Sequence, residues 1–245
     1  VTVYLVGAGP GAPDLLTCRA ADLLRRAEVV VYDRPSMADI LALAPPGAEL
    51  HCVGKSRGTP ALPQNEVNEL LVRLGQSGKD IVRLKAGDAF VVSRGGEEAI
   101  ALVEAGVPLE IVPGISAAIA APALAGIPVL VRQQASTLTV IAGNDDPEYR
   151  QNIDWSAVAR LGGTTVILTG RAALRRIADT LLAEGMAADT PVALISAAGR
   201  DRQVTRRGTL GELPDPRLAP PVTAIIGAVA ALDLLAGRTG IDAHP

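Results

Sequence analysis

Residues 1–9 (VTVYLVGAG) form an unbroken apolar, largely β-branched run that closes on glycines, the pattern of a parallel strand buried on both faces. Residues 14–27 switch to helical spacing, with Asp14 placed as the N-cap. The alternation then repeats. Residues 28–33 (EVVVYD) read as a strand, 36–44 as a short helix ended by Pro45 and Pro46, and 48–53 as a third strand. Residues 64–78 have the spacing of an amphipathic helix that stops at Gly78, and 80–88 (DIVRLKAGD) run from strand into loop. A helix over 95–106 and a strand over 109–114 follow. Strand–helix alternation over this length predicts an open, mostly parallel α/β sheet.

Residues 113–133 are rich in Ala, Gly and Pro and read as a closely packed helix with a connector. Strands are predicted again at 136–143, 164–170, 191–199 and 220–229, with a helix over 172–185 between two of them. Their irregular spacing points to a mixed sheet. The fold class expected is therefore α/β with two domains, 1–113 and 114–245, and a ligand-binding cleft between them. Residues beyond about 237 read as a frayed tail.

Composition narrows the chemistry. Hydrophobic residues make up 49% of the 245, but only five are aromatic, so the core is built from Ala, Val, Leu and Ile, and base-stacking platforms for single-stranded nucleic acid are excluded. A net charge of −3 offers no general attraction to nucleic acid or to an anionic membrane. The two cysteines (Cys18, Cys52) and two histidines (His51, His244) provide neither a disulfide framework nor metal-ligand spacing. No apolar run is long enough to span a bilayer, and the opening strand has no charged-then-apolar leader, so a cytoplasmic protein is expected. Of 23 basic residues only Lys55, Lys79 and Lys85 are lysine. Arginine's planar fork binds carboxylates through two parallel hydrogen bonds.

Three segments carry candidate chemistry. GAGPGAP (7–13) fits the spacing G-x-G-x-x-A, and Asp33 closes the second strand, which suggests a dinucleotide site with an acidic ribose ligand. Pro10 and Pro13 remove two amides such a loop would use, and a plain strand-to-helix turn fits the glycines as well. LKAGDAFVVSRGGEE (84–98) is the densest polar stretch: Asp88 follows a strand, Arg94 precedes two glycines, and Glu97 and Glu98 open a helix where they would suit its dipole. YDRP (32–35) and VGKSRG (53–58) put Asp33, Arg34, Lys55 and Arg57 at the ends of consecutive strands, which on a parallel sheet face one crevice. Ser116, after a glycine turn, can bond a cofactor polar group.

Taken together, VYLVGAGPGAPDLLT, VVYDRP, VGKSRG, QNEVNELLV, VRLKAGDAF, SRGGEEA, PGISAAIAAPALAGIP and TPVALIS resemble the tetrapyrrole methylase family over nearly the whole chain. RGGEEA resembles its uroporphyrinogen-III C-methyltransferase branch in particular. The resemblance implies S-adenosyl-L-methionine as cofactor and S-adenosyl-L-homocysteine as product, held in the cleft between the two domains, and it implies a homodimer. It implies cofactor contacts at Pro10, Ala86, Gly87, Asp88, Val91, Ser116, Ala117 and Thr169, and at strand ends near Ala198 and Ala224. It implies a tetrapyrrole substrate held by Arg34, Arg57, Glu97 and Arg132, with Arg94 nearest the reaction and Asp33 and Lys55 as acid–base or anchoring groups. The product implied is precorrin-2, on routes to sirohaem, cobalamin or haem d1. The chain departs from the branch at Ala86 and Ala89, at Leu130-Val131-Arg132-Gln133 where Thr-His-Arg-Asp is common, and at Thr169 where Met is common. A diverged methyltransferase acting on a related tetrapyrrole is therefore one alternative, and a dinucleotide-dependent oxidoreductase is another.

Overall fold

The computed structural model describes residues 2–55, 60–143, 153–215 and 217–236. The chain divides into two compact units, Val1–Ala117 and Ala118–Pro245.

The first unit is built on five parallel strands: β1 (Val3–Gly7), β2 (Val29–Tyr32), β3 (Glu49–Cys52), β4 (Ile81–Lys85) and β5 (Leu109–Val112), in the order β3-β2-β4-β1-β5. Helices α1 (Cys18–Arg25), α2 (Ala38–Leu41), α3 (Gln64–Gly75) and α4 (Gly95–Glu104) connect them. Strand alternation sorts the core into two layers. Tyr4, Val6, Val30, Val82 and Leu84 pack against Leu23 and Leu24 of α1 and Ile40 of α2. Val3, Leu5, Val29, Val31 and Ile81 pack against Val67 and Leu71 of α3 and Leu102 of α4. The first helix starts later than its periodicity predicts. Pro13–Leu15 form a 3-10 turn, and the N-cap is Thr17, whose hydroxyl accepts from the Ala20 amide, rather than Asp14.

The second unit has a mixed sheet, as expected. Its strands β6 (Leu138–Ala142), β7 (Thr164–Leu168), β8 (Pro191–Ser196), β9 (Val204–Thr209) and β10 (Val222–Ile226) lie in the order β6-β7-β10-β8-β9, and only β6 and β7 are parallel. Helix α5 (Ala117–Leu124) leads into this unit. Helices α6 (Trp155–Leu161) and α7 (Leu174–Ala183) contribute to its core, where Ile177 and Leu181 meet Leu194 and Ala224. Among the described residues no helix is long and apolar enough to cross a membrane.

Candidate functional site

In a parallel sheet every strand delivers its following loop to the same edge. In the first unit that edge collects most of the residues singled out above: Pro10 after β1, Asp33 and Arg34 after β2, Lys55 after β3, Ala86-Gly87-Asp88 after β4, and Ser116 and Ala117 after β5. Arg57 lies outside the described residues.

Three of the loops are welded together through glycine. Gly9 and Gly87 exchange backbone hydrogen bonds of 3.0 and 2.9 Å. A Cβ on Gly7 or Gly114 would strike the other's backbone and the Gly87 carbonyl. Asp88 ties the same corner, with Oδ2 accepting from the Gly114 amide at 3.0 Å and Oδ1 from the Phe90 amide at 2.8 Å. These bonds correct the dinucleotide reading of GAGPGAP. The Gly9 amide is spent on Gly87, and the loop runs into a 3-10 turn over Pro13–Leu15, with α1 starting only at Cys18, so the glycines do not lead directly into an α-helix N-terminus as a pyrophosphate site requires. Asp33, the proposed ribose ligand, is engaged elsewhere.

Its partner is one of two cations that sequence reading passed over. Arg83 and Lys85 sit two apart on the central strand β4, so both project to the α3/α4 face. Their side chains are 2% and 1% exposed. Glu98 of α4, with a fully buried side chain, accepts from Arg83 Nε at 3.1 Å, from Arg83 Nη2 at 2.8 Å and from Lys85 Nζ at 2.7 Å. Gln64 Nε2 of α3 also reaches Glu98 at 3.3 Å. Arg83 Nη2 donates in addition to Asp33 Oδ1, whose side chain is 25% exposed and forms the outer end of the set. Two cations thus meet two carboxylates. Glu98 is therefore the counter-ion of a buried pair, not a dipole cap on the helix surface.

The electrostatics follow from this closure. Burial works against the Asp33 charge, but Arg83, Lys85 and Arg34 outweigh it and hold the carboxyl below its usual range. Burial, and then the neighbouring Arg83 charge, pushes the Lys85 ammonium below its usual range. The backbone beside Asp33 is held as tightly as its side chain, since a Cβ on Gly54 would collide with the Asp33 carbonyl.

The segment before α4 is strained. Val92 and Arg94 have φ values of 54° and 59°, a region that costs L-residues roughly 1–2 kcal/mol each. Ser93 Oγ donates to the Ala89 carbonyl, and Gly95 is needed because a Cβ there would strike that same carbonyl. The strained turn presents Arg94 at the surface, where its fork grips Glu97 at 3.0 and 2.9 Å. Val91 lies half-buried in the same turn.

In the second unit Thr169 (φ 60°) and Ala197 (φ 50°) follow β7 and β8 directly, and Ala198 comes next. Two successive strands thus end on a left-handed residue, a conformation that tends to accompany functional sites. Arg132 is exposed on a tight turn closed by the pairing of Val131 with Ala135. Ala224 is not at a strand end. It is the central residue of β10, paired with β7 on one side and β8 on the other, and its side chain is in the core. Its backbone belongs to the sheet, so it leaves the set of candidate cofactor contacts.

Residues 2–214 match the model of the Tetrapyrrole (Corrin/Porphyrin) Methylases. The chain belongs to the tetrapyrrole methylases. Among its relatives in the family, an S-adenosyl-L-methionine-dependent uroporphyrinogen III methyltransferase of Methanosarcina barkeri is 44% identical over 98% of this chain and 97% of its own length. Siroheme synthase 1 of Pectobacterium atrosepticum is 45% identical over 94% of this chain, which spans only 48% of that longer relative. The crystal structure of the uroporphyrin III C-methyl transferase of Thermus thermophilus superposes with a TM-score of 0.80 at 35% identity, covering 94% of this chain and 98% of that one. The Thermus enzyme has also been solved in complex with S-adenosylhomocysteine, at the same TM-score. Both sheets, the parallel and the mixed, fit this likeness.

Proposed function

We propose that this tetrapyrrole methylase transfers methyl groups from S-adenosylmethionine to ring carbons of uroporphyrinogen III, giving precorrin-2. The observation that carries the reading is the near full-length likeness to the Methanosarcina enzyme. The edge of the first sheet fits the cofactor chemically. S-adenosylmethionine carries no phosphate, so it needs no array of free amides, and Ala86, Gly87 and Ala117 present little side-chain bulk along that edge. Pro10, Ala86-Gly87-Asp88, Val91, Ser116-Ala117, Thr169 and Ala198 are the proposed contacts.

When bound, S-adenosylmethionine supplies a methyl group on a positively charged sulfur, so its transfer to a ring carbon leaves the macrocycle with one proton to lose. Arg94 is proposed to orient a substrate carboxylate. An exposed guanidinium already shaped to grip Glu97 in two-point fashion can exchange that partner for a ligand carboxylate. Arginine itself is a poor base, its pKa being above about 12. Asp33, ionised and at the open end of its network, is proposed to take the proton, with Lys55 as a donor or anchor. Arg34, Arg57, Glu97 and Arg132 complete the proposed substrate contacts. A cytoplasmic homodimer belongs to the same proposal, and sedimentation velocity tests the dimer.

Turnover of methyl-labelled S-adenosylmethionine with uroporphyrinogen III tests the function. Two labels per macrocycle are expected, and calorimetry is expected to show S-adenosylhomocysteine binding and no NADH binding. Label transferred only to a different tetrapyrrole would overturn the substrate assignment. Arg94→Ala is expected to lower kcat by about 100-fold or more, in line with losing one positioning group, while cofactor affinity stays within about threefold. Normal methylation by that variant would remove Arg94 from the mechanism.

A further inference from the structure

We propose that Arg83, clamped by Glu98, is a positioning residue for Asp33: it fixes the Asp33 carboxylate in place for proton transfer without itself reaching the substrate. This rests on the reading of Asp33 as the proton acceptor. Three independent pieces of geometry converge on that side chain. Arg83 Nη2 grips Oδ1. Glu98 holds the same guanidinium through Nε and Nη2, so the arginine cannot swing away. Gly54 packs directly on the Asp33 carbonyl and fixes the backbone that carries the carboxylate. At 2% exposure Arg83 is too deep to meet a substrate, and at 25% Asp33 is not. A buried, fully paired arginine whose one half-exposed partner is a strand-end carboxylate is built to support that carboxylate. Charge that must act at a site is commonly held by such a second layer of hydrogen bonds.

The ring carbon's electron pair forms the new C–C bond, the S–CH3 bond breaks with its pair returning to sulfur, and the proton then lost by the macrocycle goes to the Asp33 carboxylate. Among the described residues, the charged or titratable groups around Asp33 are Arg83 and Lys85 of β4, Glu98 of α4, Arg34 beside it, Tyr32 of β2, and Cys52 and Lys55 in and after β3. Among the described residues, Arg83 donates a hydrogen bond to it.

The test is the pH profile of kcat for the whole protein between about pH 3 and 9. Arg83→Met/Glu98→Gln removes one charge of each sign and leaves Lys85 to balance Asp33, so it keeps the interior neutral. It is expected to melt cooperatively and to bind S-adenosylhomocysteine within about threefold of the parent. Its kcat is expected to fall about tenfold or more with KM little changed, and its acidic limb to move up by roughly 1–3 pH units, the shift an adjacent arginine imposes on a carboxylate. Arg83→Lys keeps the charge and is the second variant. Its acidic limb is expected to stay within about half a unit, with a smaller loss of kcat. If either variant that folds has parental kcat and an unmoved limb, while Asp33→Asn is inactive, the inference about Arg83 is wrong and the reading of Asp33 stands. Should Asp33→Asn turn over normally, the reading of Asp33 fails first and takes the inference with it.

Discussion

Glu98→Leu is expected to destabilise the first unit by about 3–5 kcal/mol, the usual result of removing one partner from a buried charge set. The substitution is close in volume, so lost packing is not the main cause. It leaves Arg83 and Lys85, both almost wholly buried, facing Asp33 alone. Adding Arg83→Met to a Glu98→Gln background is expected to recover most of the stability, because the interior is neutral again and Lys85 keeps an amide oxygen where the carboxylate was. Urea denaturation of the two singles and the double measures the coupling, expected at about 0.5–3 kcal/mol for residues in one network. A Glu98→Leu protein as stable as the parent would mean that the set contributes nothing. The network also sets the sign of the pH response. Asp33 has a lower pKa folded than unfolded, so the stability it contributes is complete above its unfolded value of about 3.9 and is lost as pH falls through the lowered one. Lys85, lowered in the fold, makes the protein more stable as pH rises from that lowered value toward about 10.4, where the unfolded chain would still hold the proton.

Gly114→Ala is expected to abolish S-adenosylhomocysteine binding, or weaken it by at least about 100-fold, and to cost at least the roughly 1–3 kcal/mol of an overpacked site. The added methyl would sit on the backbone of Gly7 and against the Gly87 carbonyl. Neither is the yielding tip of a side chain. The loops after β1, β4 and β5 must then separate, and Asp88 loses the amide at which it clamps them. Calorimetry with S-adenosylhomocysteine reads the binding and thermal melting reads the stability. Gly47→Ala is the matched control, since a Cβ there meets nothing. Parental affinity in Gly114→Ala would show that the welded corner is not part of the cofactor site.

Much of the fold was legible because buried parallel strands announce themselves. Residues 3–7 and 29–32 are apolar on both faces, and glycines follow the first of them. The second unit was less readable. β9 carries Thr205, Arg206 and Arg207 in sequence and lies at the sheet edge, where charged residues are the rule, so it reads as loop. α6 has only seven residues, too few for helical periodicity to show, although Asp154 caps it in the ordinary way. The site was half visible. Strand-end residues fall on one edge because parallel topology demands it. Arg83, Lys85 and Glu98 were missed because charges are read by default as solvated. The signal was present: two cations at i and i+2 in the middle of VRLKAGD share one face of a buried strand, and a buried face needs carboxylates to match them. Ala224 failed for the opposite reason. Its position in the chain says nothing about whether its backbone is free, and two antiparallel neighbours occupy it.

The neutral quartet of Asp33, Arg83, Lys85 and Glu98 also bears on how this sequence can drift. Any single step that removes the charge of one member leaves another without its complement inside the protein, so such losses are expected in compensating pairs. The turn that carries Arg132 is under no such restraint, because Arg132, Gln133 and Gln134 stand in solvent. Substitutions would therefore accumulate first at the Arg132 turn, while the buried quartet stays as it is.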